Sequence, residues 1–295
     1  MDFAFSQEQD ELRREARAFL EANPEAPLAE LRELGWLGVS APEERGGGGL
    51  SFVDEAILFE EAGRALYTGP FLTTAVVLPA LAEVDENAWS VELDGLVPHL
   101  DAVDRVLRED MTAVPAEGET LATVDETRPL GRLGEQQVAD SNYVGGSGSF
   151  EPVRLRLLAA LAVEAVGVAQ KALELGVAYV SDREQFGKKI GTYQAVSHPL
   201  ADTYVETELA RSLAYWAAWC VAEDDEQAPV AVAAAKAQAA ETAVAACERS
   251  IQVHGGIGFT WEHVLHRYYK RAQWIDAFGG HAAAQRRVVA AALLD

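Results

Sequence analysis

Cysteine is scarce in this chain of 295 residues, which contains only two. Cys220 and Cys247 lie in alanine-rich, helix-forming stretches and show none of the spacings that sets of metal ligands adopt. This pattern favours two buried free thiols over a disulfide bridge or a zinc site. We therefore expect no metal centre.

Basic residues are also few. The chain has 24 lysines and arginines against 47 aspartates and glutamates, a formal net charge of -23 at pH 7. A surface of this charge repels nucleic acid and anionic membranes, so neither is an expected partner. A ligand that carries phosphate groups would need a local basic site.

Long apolar runs are absent from the N-terminal segment MDFAFSQEQDELRREARAFL. No uninterrupted apolar stretch there reaches the length of a signal peptide. With 49% hydrophobic and 24% charged residues, the composition is that of an ordinary globular protein, and we expect a cytoplasmic one.

Residues 1–83 predict a helical N-terminal domain. Ser6, followed three residues later by Gln9, forms the pattern of a helix-capping box, and apolar residues then recur at helical spacing. Further helices are predicted through LAELRELGWLG and from Ser51 onward. The four consecutive glycines at 46–49 predict a loop between helices.

Residues 84–150 predict a small, β-containing middle segment. Helical periodicity fades there, and short apolar pieces are separated by proline, glycine and aspartate. A flexible run, GGSGS at 145–149, closes the segment.

Residues 151–295 predict an antiparallel four-helix bundle. They contain long, alanine-rich stretches with helical periodicity and only short breaks between them. The predicted helices cover 155–180, 194–223, 229–253 and 282–294. The fold class expected from the whole chain is therefore mainly α.

Two segments are candidates for ligand binding. SDREQFGKKIGTYQ, at 181–194, places Arg183, Lys188 and Lys189 between two helices of an otherwise acidic chain, although a solvated turn explains it equally well. IQVHGGIGFTWEH, at 251–263, runs from a helix into a glycine-rich turn. Such a turn lets backbone N–H groups approach an anion or a planar ring closely, and it is also a common helix C-cap.

These segments resemble the acyl-CoA dehydrogenase family. DREQFGKKIGTYQ is similar to the family's segment of arginine, Phe-Gly and glutamine, and IQVHGGIGF is similar to its Gln-x-x-Gly-Gly-x-Gly-aromatic segment. The early LRELGWLGVSAPEERGGGG is similar to the family's Leu-Gly-Trp, Pro-Glu and Gly-Gly sequence. The three motifs occur in family order over about four-fifths of the chain.

The resemblance implies an N-terminal helical domain, a β-domain and a C-terminal four-helix bundle, with FAD as the cofactor and an acyl-CoA as the substrate. In such enzymes the FAD lies between one subunit's β-domain and the C-terminal domains of two subunits. Carried over by position, one group of residues meets the diphosphate and adenine end of a neighbour's FAD, and a second group forms the other side of the cradle. The first group is Arg183, Phe186 and Gln194, and the second is Gln252, Gly255 and Gly256.

The family's catalytic base is missing. That base, ordinarily a glutamate, removes the proton α to the thioester while the β-hydrogen leaves as hydride to the flavin. Its commonest position aligns with Gly279 and its second position with Leu157, and neither residue accepts a proton. The acids near these positions are Glu151, Glu164 and Asp276. Asp276 and His281 are the weak candidates for a replacement base.

The middle segment also differs from the family pattern. The family's β-domain has roughly a hundred residues, and its Thr-Glu-Pro-x-x-Gly-Ser-Asp and Trp-Ile-Thr segments, which line the flavin ring, are absent here. VDETRPLGRL, at 124–133, is similar to the end of that domain. A chain with this truncation is expected to hold a flavin ring poorly by itself.

With these two departures, the chain resembles the divergent, shortened subunit of actinobacterial α2β2 acyl-CoA dehydrogenases. Some of those enzymes act on steroid side-chain CoA thioesters. The leading hypothesis is therefore a subunit that shares FAD with a partner subunit, the partner supplying the glutamate. The resemblance also implies an electron-transfer flavoprotein as electron acceptor. The alternatives are a self-sufficient homo-oligomeric enzyme with a non-standard base and a non-redox scaffold with this fold.

Overall fold

The computed structural model describes residues 4–134, 142–143 and 149–294. The N-terminal part contains the helices α1 (Gln7–Ala22), α2 (Leu28–Glu33), α3 (Phe52–Ala65) and α4 (Phe71–Val77). The C-terminal part contains α5 (Glu151–Asp182), α6 (Gln194–Ala222), α7 (Ala228–His254), α8 (Leu265–Ala277) and α9 (Ala282–Leu294). The expected fold class, mainly α with a β-containing middle, is confirmed.

The middle segment forms two small sheets. Its strands are β1 (Trp89–Val91), β2 (Val97–Pro98), β3 (Arg105–Leu107), β4 (Thr112–Pro115), β5 (Gly118–Leu121), β6 (Leu130–Leu133) and β7 (Asn142–Tyr143). One sheet has the order β1-β3-β4-β7, with β1 and β3 parallel and the other pairs antiparallel. The other is antiparallel, in the order β2-β6-β5. Of the predicted GGSGS run, 145–148 lie outside the described residues.

The predicted helix starts are confirmed where a cap was expected. The Ser6 hydroxyl accepts the backbone N–H of Gln9, and the Gln9 side chain accepts the Ser6 N–H, which completes the capping box of α1. Ser51 and Asp54 form the same arrangement at the start of α3. Each cap satisfies backbone donors that the first helical turn leaves open.

The helices of the bundle pack closely because their contact faces consist of small residues. α7 buries Ala231, Ala235, Ala239 and Ala243 at four-residue spacing. Gly167 of α5 lies so near α3 that a Cβ atom on it would be 2.0 Å from the carbonyl oxygen of Glu60. This contact joins the N-terminal helices to the bundle, and one apolar core extends through both parts.

α8 was not predicted as a helix. Its sequence, LHRYYKRAQWIDA, has no side-chain cap and many polar residues, but its apolar residues do recur at helical spacing, a signal that could have predicted the helix. It folds as a helix because Leu265, Tyr268, Ala272 and Ile275 are buried against the bundle. Two short strands, β8 (Glu184–Gln185) and β9 (Lys188–Lys189), form a hairpin between α5 and α6.

Both cysteines are buried free thiols, as expected. No group of three or more metal-ligating side chains occurs among the described residues. Within that part of the chain, none of the helices is both long and apolar enough to cross a membrane.

Candidate functional site

The position of the missing base lies in the turn between α8 and α9. Gly279 adopts a positive φ of 71°, and a Cβ atom on it would be 2.5 Å from Leu158 Cδ2 and 3.3 Å from Leu93 Cδ2. The second family position, Leu157, is completely buried on α5. Leucine side chains thus lie next to the turn, and a side chain at 279 would require Leu158 to shift.

The cavity beside this turn is nearly closed. It has a volume of about 10 Å³ and is lined by His99, Arg128, Leu161, Trp274 and Phe278, among others. Trp274 and Phe278 stack with ring centroids 4.7 Å apart, and the Arg128 guanidinium lies 5.0 Å from the Trp274 ring. About 10–15 Å³ holds a single water molecule, so neither an acyl chain nor a flavin ring fits.

A buried network of charges adjoins the closed cavity through Arg128. Arg271, completely buried on α8, donates to Asp125 Oδ2 (2.6 Å) and to Glu164 Oε1 (2.8 Å). Arg128 donates to both oxygens of Glu164 at 2.6 Å, and Thr127 donates to Asp125 Oδ1. Two arginines and two carboxylates thus join the middle segment, α5 and α8 in one neutral cluster.

His99 lies beside this cluster and stays neutral. It is buried and has a positive φ of 53°. Burial lowers its pKa well below the ordinary value, and Arg128 and Arg271 lower it further. Among the described residues, its Nε2 atom, Arg128 Nε and Trp274 Nε1 have no hydrogen-bond partner.

Of the acids near the missing base, two are paired elsewhere. Glu164 belongs to the buried network, and Glu151 accepts two hydrogen bonds from Arg154 at 2.6 Å. Neither carboxylate is therefore open to a substrate.

Asp276 and His281, the weak candidates for a base, contact each other. His281 Nδ1 lies 2.8 Å from Asp276 Oδ2, and the Ala282 backbone N–H donates to Asp276 Oδ1 at 3.2 Å. Asp276 thus caps the first turn of α9. The His281 side chain is 67% exposed, so the pair lies at the surface.

Lys236 holds the other side of the same turn. It is completely buried on α7, and its Nζ donates to the carbonyl oxygen of Ile275 at 2.6 Å. Burial lowers its pKa to about 8, although Asp276 acts in the opposite direction. This lysine places a cation at the C-terminal end of α8, where the helix carbonyls are unsatisfied.

The Arg183 hairpin, residues 183–192, projects into solvent. Arg183 is exposed, and no hydrogen bond or ion pair occupies its guanidinium among the described residues. Phe186, at the tip, is 93% exposed and has a positive φ of 53°. Gln194 follows as the first, exposed residue of α6. The hairpin thus exposes an arginine without a side-chain partner among the described residues and a phenylalanine at a positive φ.

The glycine turn, residues 255–259, follows α7. Gln252, Gly255 and Gly256 are exposed, and no atom lies within 4 Å of a Cβ placed on either glycine. Gly255 needs its positive φ of 66° for the turn. Gly256 has no such need, so nothing within the chain accounts for the absence of a side chain there.

The two segments lie at the same end of the bundle. Tyr179, near the end of α5, and His254, the last residue of α7, stack with ring centroids 4.3 Å apart. The same end exposes Phe259 and Trp261, with Lys270 Nζ 4.3 Å from the Trp261 ring. The candidate cofactor residues predicted from the sequence therefore share one exposed, aromatic and basic surface, which we call the bundle end.

Sequence reasoning missed the roles of Asp125, Arg128 and Arg271. All three stand in the segments VDETRPLGRL and HRYYKRA, which were noticed only as parts of family-like motifs. An arginine in a short polar stretch is ordinarily exposed. A signal that could have indicated otherwise is Glu164, an acid within the apolar stretch LAALAVEAVGVA, because a buried carboxylate needs a cation as partner.

Comparison with protein families gives two matches. The model of the acyl-CoA dehydrogenase N-terminal domain matches residues 6–84, and that of the acyl-CoA dehydrogenase C-terminal domain matches residues 156–294. The region between them, which contains the two sheets, is matched by neither.

Curated relatives differ in how much of their length the chain covers. It is 38% identical to the acyl-CoA dehydrogenase FadE34 of Mycobacterium tuberculosis over 92% of this chain, but it spans only 43% of that protein. It is 33% identical to the acyl-CoA dehydrogenase IpdE2 of Mycolicibacterium smegmatis, over 90% of this chain and 93% of the relative.

Solved structures with the same fold include subunits of two-protein complexes. A chain of the ChsE4-ChsE5 complex from Mycobacterium tuberculosis superposes with a TM-score of 0.89 at 23% identity, covering 100% of this chain and 99% of that one. A chain of the Tcur3481-Tcur3483 steroid ACAD G363A variant gives 0.83 at 25% identity, covering 97% and 98%.

Proposed function

Because this chain belongs to the acyl-CoA dehydrogenase family, we propose that it is one subunit of a hetero-oligomeric FAD-dependent enzyme that introduces an α,β double bond into an acyl-CoA. Members of the family are FAD-dependent oxidoreductases. In our proposal a partner subunit supplies the catalytic glutamate and most of the flavin-ring site. This chain supplies its bundle end to the shared cofactor.

The observation that carries the proposal is the state of Gly279. Abstraction of the α-proton needs a carboxylate beside the substrate. At 279 there is no side chain, and Leu158 stands 2.5 Å from where a Cβ atom would lie. The cavity lined by the neighbouring Phe278 has a volume of about 10 Å³, which is too small for an acyl-CoA thioester.

The bundle end, in contrast, fits the diphosphate and adenine part of FAD. The unpaired Arg183 guanidinium matches the geometry of phosphate oxygens, and the open Gly255–Gly256 backbone allows close approach of a ligand. Phe186 offers an apolar face, and Gln194 and Gln252 offer side-chain amides. When bound, the flavin would accept the hydride from the substrate's β-carbon.

The partner and substrate are proposed by extension from relatives. The similar ChsE4-ChsE5 and Tcur3481-Tcur3483 structures are complexes of two different proteins, and the second is described as a steroid ACAD. We extend this to an α2β2 assembly and to a steroid side-chain CoA thioester as the substrate class. An electron-transfer flavoprotein as acceptor and a cytoplasmic location stay predictions from the sequence.

A self-sufficient enzyme is the second candidate. It would use Asp276 or His281 as its base, and the two are within hydrogen-bond distance of each other. We give it second place because Asp276 is engaged in capping α9 and because Leu158 and Leu93 fill the space beside Gly279. A non-redox scaffold is the third candidate, and it would leave the glycine at 256 without an explanation.

The proposal is tested by the flavin content of the purified chain, alone and together with an acyl-CoA dehydrogenase subunit encoded beside it. We expect bound flavin only in the co-purified complex. Stoichiometric flavin on the chain alone would instead support the self-sufficient enzyme, and no flavin in either preparation would support the scaffold.

Arg183→Ala tests the contribution of the bundle end. Removing a charge-assisted contact to a diphosphate is expected to weaken flavin retention in the complex by about tenfold, with little change in the stability of the chain. Arg14→Ala is the matched control, since Arg14 is 73% exposed on α1. Equal flavin affinity in the two variants would mean that Arg183 does not contact the cofactor.

A further inference from the structure

The two halves of the proposed flavin cradle come from different helices. Arg183 follows α5, and its backbone N–H donates to the carbonyl oxygen of Tyr179 at 2.9 Å. Gly255 follows α7 directly after His254. A cradle that binds one ligand from both sides works only if the two halves keep a fixed separation.

One ring contact connects the helix ends that lead into these halves. The Tyr179 and His254 rings stack at 4.3 Å with an interplanar angle of 27°. Tyr179 is four residues before Arg183, and His254 is one residue before Gly255. A displacement of either ring would therefore be passed to the adjoining half of the cradle.

His254 is itself held in place. It is 5% exposed, and its Nδ1–H donates to the carbonyl oxygen of Ser250 at 2.7 Å, which fixes the tautomer. Its other neighbour is His263, whose ring centroid is 4.4 Å away. The backbone N–H of Leu265 donates to His263 Nδ1 at 3.2 Å, which ties the stack to the start of α8.

The stack has no other evident task. Within the described residues no group of three or more ligating side chains could hold a metal ion, so the two imidazoles are not part of such a group. A flat ring fixes the direction of its partner as well as its distance.

We propose that His254 is a positioning residue, which fixes the glycine turn relative to the Arg183 hairpin through its stack on Tyr179. The inference rests on the proposed function for the identity of the ligand, a dinucleotide with a diphosphate. The coupling between the two segments is a property of this chain and does not depend on that identity.

The test compares His254→Leu, which removes the ring, with His254→Phe, which keeps it. Hydrogen exchange is measured on the full chain, and flavin affinity is measured on the complex. We expect His254→Leu to speed amide exchange in both 184–192 and 255–259 and to weaken flavin binding about tenfold. His254→Phe should restore both to within about twofold of wild type.

Phe19→Leu serves as the control for a general loss of packing, because Phe19 makes a ring contact with Trp36 at 5.4 Å in the N-terminal part. Phe19→Leu should leave the amide exchange rates of both segments unchanged. If His254→Leu does not fold, Tyr179→Leu and Tyr179→Phe provide the same comparison from the partly exposed side of the stack.

Faster exchange confined to 255–259, or equal behaviour of the leucine and phenylalanine variants, would overturn the proposal. Absence of flavin from the wild-type complex would instead overturn the proposed function. The exchange experiment would still decide whether the two segments are coupled.

Discussion

The turn at Gly279 and the bundle end, both expected from the sequence to belong to a cofactor or substrate site, differ in how far the chain itself explains them. At Gly279 the missing side chain is accounted for by a positive φ and by Leu158, which lies 2.5 Å from where a Cβ atom would stand. At the bundle end Gly256 has an ordinary φ and open space, and Phe186 is exposed with a strained backbone.

On the proposed function, this difference separates a site that has closed from one that faces another molecule. When a pocket no longer binds a substrate, its walls can collapse and fill it with apolar side chains, because packing in a protein interior is dense. A residue that packing does not require points to an interaction outside the chain. The interior turn therefore has a structural role here, and the bundle end is the surface where function is expected.

The largest expected effect lies in the closed region. Arg271→Met would leave the buried carboxylates of Asp125 and Glu164 without one of their two cations. Loss of one partner of a buried pair typically costs about 3–5 kcal/mol, so we expect a large fall in the free energy of unfolding, measured with urea. Arg286→Met is the control, because Arg286 and Glu241 are both about half exposed and such pairs contribute less than about 1 kcal/mol. Similar losses in the two variants would show that the network does not stabilise the closed site.

Lys236 gives the next effect, and it depends on pH. Burial lowers its pKa from 10.5 to about 8 in the folded chain. Between these values the unfolded chain binds more protons, so the stability of wild type relative to Lys236→Met should rise with pH. The rise is at most about 3 kcal/mol.

The measurement is urea unfolding of both proteins from pH 7 to pH 10. Cysteines and tyrosines also titrate at alkaline pH, but they are the same in both proteins, so their contributions cancel in the difference. If the unfolding free energies of the two proteins differ by the same amount at every pH, burial beneath the turn at Gly279 does not lower the pKa of Lys236.

The helical architecture could be predicted because alanine-rich periodicity is a local signal. α8 was missed because its apolar residues, although helically spaced, stand among many charged and polar ones and no cap marks its start. The charge network was out of reach: Arg271 and Asp125 are 146 positions apart, and no local pattern pairs them.

The candidate site was likewise predictable only in part. The absence of a carboxylate at 279 follows from the motif, but the closing of the space by Leu158 depends on how side chains pack. Arg183 and Gly256 were recognised from motif residues. Their meeting at one end of the bundle depends on α5 and α7 ending side by side, as the Tyr179–His254 stack shows.

The sharpest comparison is between two glycines, each changed to alanine. Gly279→Ala forces a side chain into Leu158 at a positive φ, and we expect a loss of about 2 kcal/mol in unfolding free energy. Gly256→Ala meets no atom of the chain, and its stability should stay within about 0.5 kcal/mol of wild type. Urea unfolding of the two variants measures this difference.

The same two variants should differ in flavin retention in the opposite order, with Gly256→Ala affected more than Gly279→Ala. In the complex, a methyl group at 256 would stand where a ligand approaches the backbone, so Gly256→Ala should lose flavin more readily than wild type. Because Gly279 lies beside a space too small for a flavin ring, Gly279→Ala should keep its flavin at temperatures where it remains folded. Unchanged flavin retention in Gly256→Ala would mean that the open glycine at the bundle end is not in contact with the cofactor, and the contrast between the closed and the open region would then lose its functional meaning.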